Sequence, residues 1–175
     1  MRFTPATLAL ACLLATVSSA GISQRADSQI APLSLEWQAN GERALAAKDY
    51  QAANDALESA LAADPRNRRA FVLLGEIARA QGLQGKAIRY YNEALVLDPT
   101  DMEALVGQGQ AMVEKGALEQ ARANLARMKS VCRNECPQIG ALSASIEEQA
   151  RKAVAKTAPA PAANGAAPAN ETQQP

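Results

Sequence analysis

The chain has 175 residues, enough for one domain. Its 18 basic and 18 acidic side chains cancel and His is absent, so it has no general attraction to nucleic acid or anionic lipid and lacks the commonest general base and metal ligand. Aromatics are only 3% while Ala, the best helix former, is abundant, which argues for helices packed through small side chains and against a sheet protein or a disulfide-rich miniprotein.

The first twenty residues read as an export signal. Arg2 supplies the positive start, residues 6–17 form an apolar run broken only by Thr7 and Thr16, and Ser18-Ser19-Ala20 offers small residues for cleavage after Ala20. The run is shorter than the about 20 residues a permanent bilayer helix needs, so membrane contact is expected only through the transient leader, with a periplasmic or secreted mature chain. Leu10-Ala11-Cys12 is loosely lipobox-like, but the apolar run continues through Leu13 and Leu14 and buries that cysteine within it. Residues 21–33 carry Ser, Gln, Asp and Pro without periodicity and read as a linker.

A period of 34 residues organises the middle of the chain. Asp64-Pro65 recurs as Asp98-Pro99. Gly41, Gly75 and Gly109 keep the same spacing, as do Ala53, Ala87 and Ala121. Trp37, Phe71 and Leu105 share one register, Leu57, Tyr91 and Leu125 another, and Ala60, Ala94 and Met128 a third. The units are 34–67, 68–101 and 102–135. Each reads as two helices. In the second unit Phe71, Leu74 and Ala78 form one stripe, Gly82 marks a turn, and Ala87, Ile88, Tyr91, Ala94 and Leu95 form another that Asp98-Pro99 ends. Thr100 with Glu103 is expected to open the third unit as a capping box. Trp37 and Tyr91 are expected to fill the wide gaps between helices, and the small residues the narrow ones.

These residues resemble the tetratricopeptide repeat. Trp37, Gly41, Tyr50, Ala53, Ala60 and Pro65 fit its pattern in the first unit; Phe71, Leu74-Gly75, Gly82, Ala87, Tyr91, Ala94 and Pro99 fit it in the second. The third keeps Gly109, Gly116, Ala121 and Leu125 but has Arg133 where Pro is usual and Gln108 where Leu is usual, as befits a degenerate terminal repeat. The fold implied is an all-α, right-handed α-solenoid of three helix-turn-helix repeats plus a C-terminal capping helix.

The cap is read in the segment 136–156, where Ile139, Leu142, Ile146, Ala150 and Ala153 recur at helical spacing opposite Glu147, Glu148, Arg151 and Lys152. Residues 157–175, rich in Ala, Pro, Asn and Gln, read as a disordered tail. Cys132 and Cys136 sit at the junction before the cap. In an exported chain they are expected to form a disulfide, which requires the segment to leave helical geometry; closing so short a loop contributes about 2 kcal/mol in the chain-entropy picture. A thiol-redox or metal-handling role for the pair is the alternative, without a His to serve as third ligand.

The resemblance implies a concave groove lined by the first helix of each repeat. Its positions here are Gln38, Glu42 and Leu45, then Arg69, Val72, Glu76 and Arg79, then Val106, Gln110 and Val113. Val72 and Val106 are expected to give apolar contacts, and Arg69 and Arg79 to bind carboxylates or carbonyls. The family's clamp for a C-terminal carboxylate uses Lys and Asn where this chain has Gln38 and Glu42, so a chaperone-tail adaptor is disfavoured. The reading that results is a non-enzymatic scaffold for a protein or peptide partner, with no cofactor, no metal, no nucleic acid and no catalytic constellation. A self-associating structural solenoid is the alternative.

Overall fold

The computed structural model describes residues 29–157, so the candidate leader, most of the segment 21–33 and the tail past Thr157 lie outside the described residues. Seven helices make up the described part: α1 (Pro32–Ala46), α2 (Tyr50–Ala63), α3 (Arg68–Ala80), α4 (Gln84–Leu97), α5 (Met102–Lys115), α6 (Leu118–Val131) and α7 (Pro137–Thr157). α1 begins inside the segment read as a linker, because Pro32 at the first helical position has φ already set and loses no hydrogen bond there.

Local chemistry sets the boundaries. Asp49, Asn67 and Asp101 cap α2, α3 and α5, each side chain accepting from the backbone N–H three residues on at 3.1, 3.1 and 3.0 Å. The cap of α5 is therefore Asp101, not Thr100. Thr100 instead donates to Asp98, closing the turn before the helix. The turns inside the three hairpins use a left-handed residue at one register: Lys48, Gly82 and Gly116, with φ of 60°, 75° and 81°. The turns between hairpins use an extended residue at another: Asp64, Asp98 and Cys132. In the first two the following proline enforces that geometry. In the third, residues 132–136 leave the helix without a proline at 133, and the Sγ atoms of Cys132 and Cys136 lie 2.05 Å apart with Cα atoms at 6.3 Å.

Consecutive helices pair antiparallel, and α1, α3 and α5 also touch one another as an inner row; α7 packs on both α5 and α6, where the first helix of a further repeat would lie. The sequence registers are the core. Ala53, Ala87 and Ala121 are fully buried, as are Ala60, Ala94 and Met128. Tyr91 is clamped between glycines: a Cβ on Gly75 would stand 2.8 Å from its Cζ, and one on Gly107 only 2.3 Å. Trp37 departs from its expected gap-filling role. It is 38% exposed, whereas its register mate Leu105 is fully buried, because no described helix covers the outer side of α1. Gln108, at the Leu register, is buried and satisfied, accepting from Asn124 Nδ2 at 2.9 Å. Leu142 and Ile146 of α7 close the far end.

Polar ties join the repeats at fixed register. Asn67 Nδ2 donates to Ser34 Oγ at 2.9 Å, and Ser34 Oγ donates to the Ala60 carbonyl at 2.7 Å. One repeat later the equivalent positions hold the ion pair of Asp101 with Arg68. Asp64 accepts from the Ala31 N–H at 3.0 Å and from Arg66 Nη2 at 2.7 Å. That arginine holds its carboxyl down at about 2.

Candidate functional site

The inner row carries a groove, because its helices expose one stripe each and the 34-residue repeat sets those stripes side by side. Two clefts run along it. One, of about 400 Å³, lies among α3, α5 and the start of α7, lined by Glu76, Arg79, Tyr91, Met102, Glu103, Val106, Gly107, Gln110 and Gln138. The other, of about 630 Å³, opens toward α1 and α2 through Leu45, Tyr50, Ala80 and Glu114 and shares Glu76, Arg79 and Gln110 with the first. These three shared residues make the two clefts one continuous surface.

Of the groove positions read from sequence, Glu76, Arg79, Val106 and Gln110 meet at its centre. Gln38 and Arg69 line a smaller recess of about 130 Å³ beside Asn67, toward the start of α1. Glu42 joins the two, accepting from Gln38 Nε2 at 3.2 Å and facing Arg69 Nε at 3.4 Å. Val72 and Val113 do not belong to the accessible wall. Val72 is fully buried and Val113 nearly so, both in the core shared by α3 and α5. The reason is lateral: inner helices stack on one another, so a position that points along the row is covered by the next helix.

The arginines also differ from expectation. Arg69 pairs with both Glu42 and Glu103. Arg79 donates to Gln110 Oε1 at 2.6 Å and pairs through Nε with Glu114 at 3.2 Å. Two nitrogens of each already meet acceptors within the chain, so a carboxylate would have to compete with those partners for them. Glu103 was legible, since it stands one period after Arg69; so was Glu114, one turn beyond Gln110. Gln138 was not, because it arrives on α7, outside the repeat. Tyr91 reads from sequence as a space filler, yet it also belongs to the cleft lining. Burial pushes its phenol up to about 12, so it is a neutral hydroxyl at ordinary pH. Glu76 is half-buried, and desolvation raises its carboxyl above the usual range against the opposing pull of Arg69 and Arg79. Among the described residues no group of three or more Cys, Asp or Glu has the geometry to hold a metal ion, and no helix is long and apolar enough to cross a membrane.

Comparison with known proteins places this geometry. Residues 39–102 match the tetratricopeptide repeat family model. The Sgt2 TPR domain from Aspergillus fumigatus is similar in structure, with TM-score 0.67 and 22% identity over 79% of this chain and 93% of that one. So is the TPR2B domain of yeast Sti1 in its Hsp70 complex, with TM-score 0.65 and 16% identity over 68% and 99%. The Yersinia enterocolitica type III secretion chaperone SycD, in complex with a peptide of the translocator YopD, gives TM-score 0.59 and 21% identity over 74% and 99%. No curated protein sequence matches the chain. Residues 39–102 therefore carry the tetratricopeptide repeat, and the 34-residue register and helix stacking give the described part of the chain the fold of a tetratricopeptide-repeat array.

Proposed function

We propose that this protein is a non-enzymatic interaction scaffold that holds a segment of a partner protein along its inner-row groove. The observation that carries the reading is the continuous surface through Glu76, Arg79 and Gln110, which joins two clefts of about 400 and 630 Å³. Peptide complexes of similarly folded domains, with Hsp70 and with YopD, support it. The test is a pull-down with the full mature chain. Gln110→Trp, which fills the shared centre of the groove, is expected to lose the partner with an unchanged helical spectrum, while Glu93→Arg on the exposed face of α4 keeps it. Retention of the same partner by Gln110→Trp refutes the groove as the site.

The working place is the cell envelope. Support comes from the leader-like residues 1–20 and from the neighbouring Sγ atoms of Cys132 and Cys136, which suit an oxidising compartment. In that setting the pair is a structural disulfide. It forms the corner at the register where the other repeats use Asp-Pro. N-terminal sequencing of envelope material should begin at Gly21, and the two thiols should resist alkylation until reduced; recovery of Met1, or free thiols, defeats the proposal. Self-association is a second reading because Leu33, Leu35 and Trp37 leave an exposed apolar strip on α1. Sedimentation at monomer mass across a hundredfold range of concentration removes it.

A further inference from the structure

The cleft among α3, α5 and the start of α7 contains two polar groups that the chain leaves unserved. Tyr91 is 1% exposed, its hydroxyl is buried without a hydrogen-bond partner, and its side chain forms part of the cleft lining. The Arg79 guanidinium lies beside that hydroxyl and pulls against the upward effect of burial on the phenol, but it makes no hydrogen bond of good geometry with it; its hydrogen bond goes to Gln110 and its ion pair to Glu114. Gly107 brings the backbone of α5 against the ring; a Cβ there would stand 2.7 Å from Oη. The second unserved group is the half-buried Glu76 carboxylate. Arg69 turns to Glu42 and Glu103, and Arg79 to Glu114, so neither arginine forms an ion pair with Glu76. An unpaired carboxylate in a desolvated position is costly, and so is a buried hydroxyl with nothing to bind. A group that serves both at once recovers both costs.

Charge decides which group. The carboxylates of Glu42, Glu76, Glu103 and Glu114 outnumber the guanidiniums of Arg69 and Arg79 along the groove. An anionic ligand would meet this excess and have to compete with the glutamates already paired with the arginines. A cation finds Glu76 free and Glu103 beside it, with Met102 and Val106 as half-buried apolar walls for an aliphatic stem.

We propose that this cleft is a specificity pocket for one cationic side chain, lysine or arginine, of the bound polypeptide segment, its head group between Glu76 and Glu103 and against the Tyr91 hydroxyl. The inference rests on the groove being the partner-binding surface, and it adds what that surface selects. It sets this chain apart from domains built to clamp an acidic terminus.

The test uses peptides selected from a random displayed dodecapeptide library on the immobilised full chain. Enriched peptides should share one Lys or Arg at a fixed place. In fluorescence anisotropy, replacing that residue by norleucine should weaken binding about tenfold, the size of one lost charge-assisted contact. Glu76→Gln should weaken the cationic peptide to a similar degree and leave the norleucine peptide unchanged. Tyr91→Phe, which keeps the ring and so the packing, should weaken the cationic peptide a few-fold. If enriched peptides are neutral or acidic, yet are displaced from the protein by Gln110→Trp, the groove reading stands and the cation pocket is overturned. If Glu76→Gln weakens the cationic and norleucine peptides equally, the pocket is likewise overturned. If no peptide is enriched, or if all are indifferent to Gln110→Trp, both readings fall.

Discussion

Replacing Gly107 by Ala sets two known effects against each other at one atom. In the middle of a helix, Ala is more stable than Gly by about 1 kcal/mol, so propensity alone predicts a gain. Here the new Cβ would lie 2.3 Å from Cζ and 2.5 Å from Cε1 of Tyr91. The ring has little room to retreat toward α3, because it already lies against the Gly75 backbone, where a Cβ would stand 2.8 Å from the same two atoms. Overpacking of this kind costs about 1–3 kcal/mol, and a contact this short belongs at the upper end. The net expectation is a loss of about 1–2 kcal/mol, read as a fall in melting temperature by circular dichroism. The decisive measurement is the same change made in Tyr91→Leu. Leucine ends short of Cζ, and Leu57 and Leu125 occupy the equivalent register in the neighbouring units. In that background the clash is gone, and Gly107→Ala should stabilise by about 1 kcal/mol. If Gly107→Ala melts at or above wild type, or if its sign is the same in both backgrounds, the account of a ring held between two glycine backbones is wrong.

Lys48 holds φ at 60° where the other units have Gly, so Lys48→Gly should raise stability by up to about 1 kcal/mol, less the added freedom of the unfolded chain; a lower melting temperature contradicts this. Val72→Asp would bury an unpaired carboxylate in the core between α3 and α5 and should cost about 4 kcal/mol or more, with loss of cooperative melting, whereas a site on an accessible groove wall would tolerate it. The Asp64 carboxyl lies at about 2, below its ordinary 3.8, mainly through its hydrogen bonds with Arg66, so its contribution is complete above pH 4 and is lost as pH falls from 4 toward 2. Urea denaturation of wild type and Asp64→Asn should therefore differ at pH 6 and converge near pH 2; an equal difference at both pH values counts against the assignment.

The fold was legible because its determinants recur. A residue such as Ala53 means little alone, but with Ala87 and Ala121 it marks the place where helices approach closely, and all three are fully buried. The extended corner at Asp64 and Asp98 followed from the prolines after them. What the register did not give was the environment at the edges of the array. Trp37 and Leu105 hold the same position, and their exposure differs because only the later one has a described helix on both sides. The expectation of a capping box at Thr100 failed for a related reason: Asp101 competes for the same N–H groups and sits one residue closer.

The groove was harder to read, since a register fixes where a side chain starts and not what surrounds its end. Val72 and Val106 share a register, yet one is sealed in the core and the other opens on the cleft. Arg69 and Arg79 look from sequence like the cations awaiting a ligand. Their partners are Glu42 and Glu103 in one case and Gln110 and Glu114 in the other, and all four sit on neighbouring inner helices. Those pairs cross the stack between repeats, so they help fix its register while consuming the positive charge of the surface. The carboxylate left over, Glu76, shares its register with Glu42 and Gln110, at the one place where both clefts meet. In a repeat array the residues that bind are therefore found by subtraction: the inter-repeat pairs are removed first, and the polar groups still unserved, here Glu76 and the Tyr91 hydroxyl, define the chemistry a partner must bring.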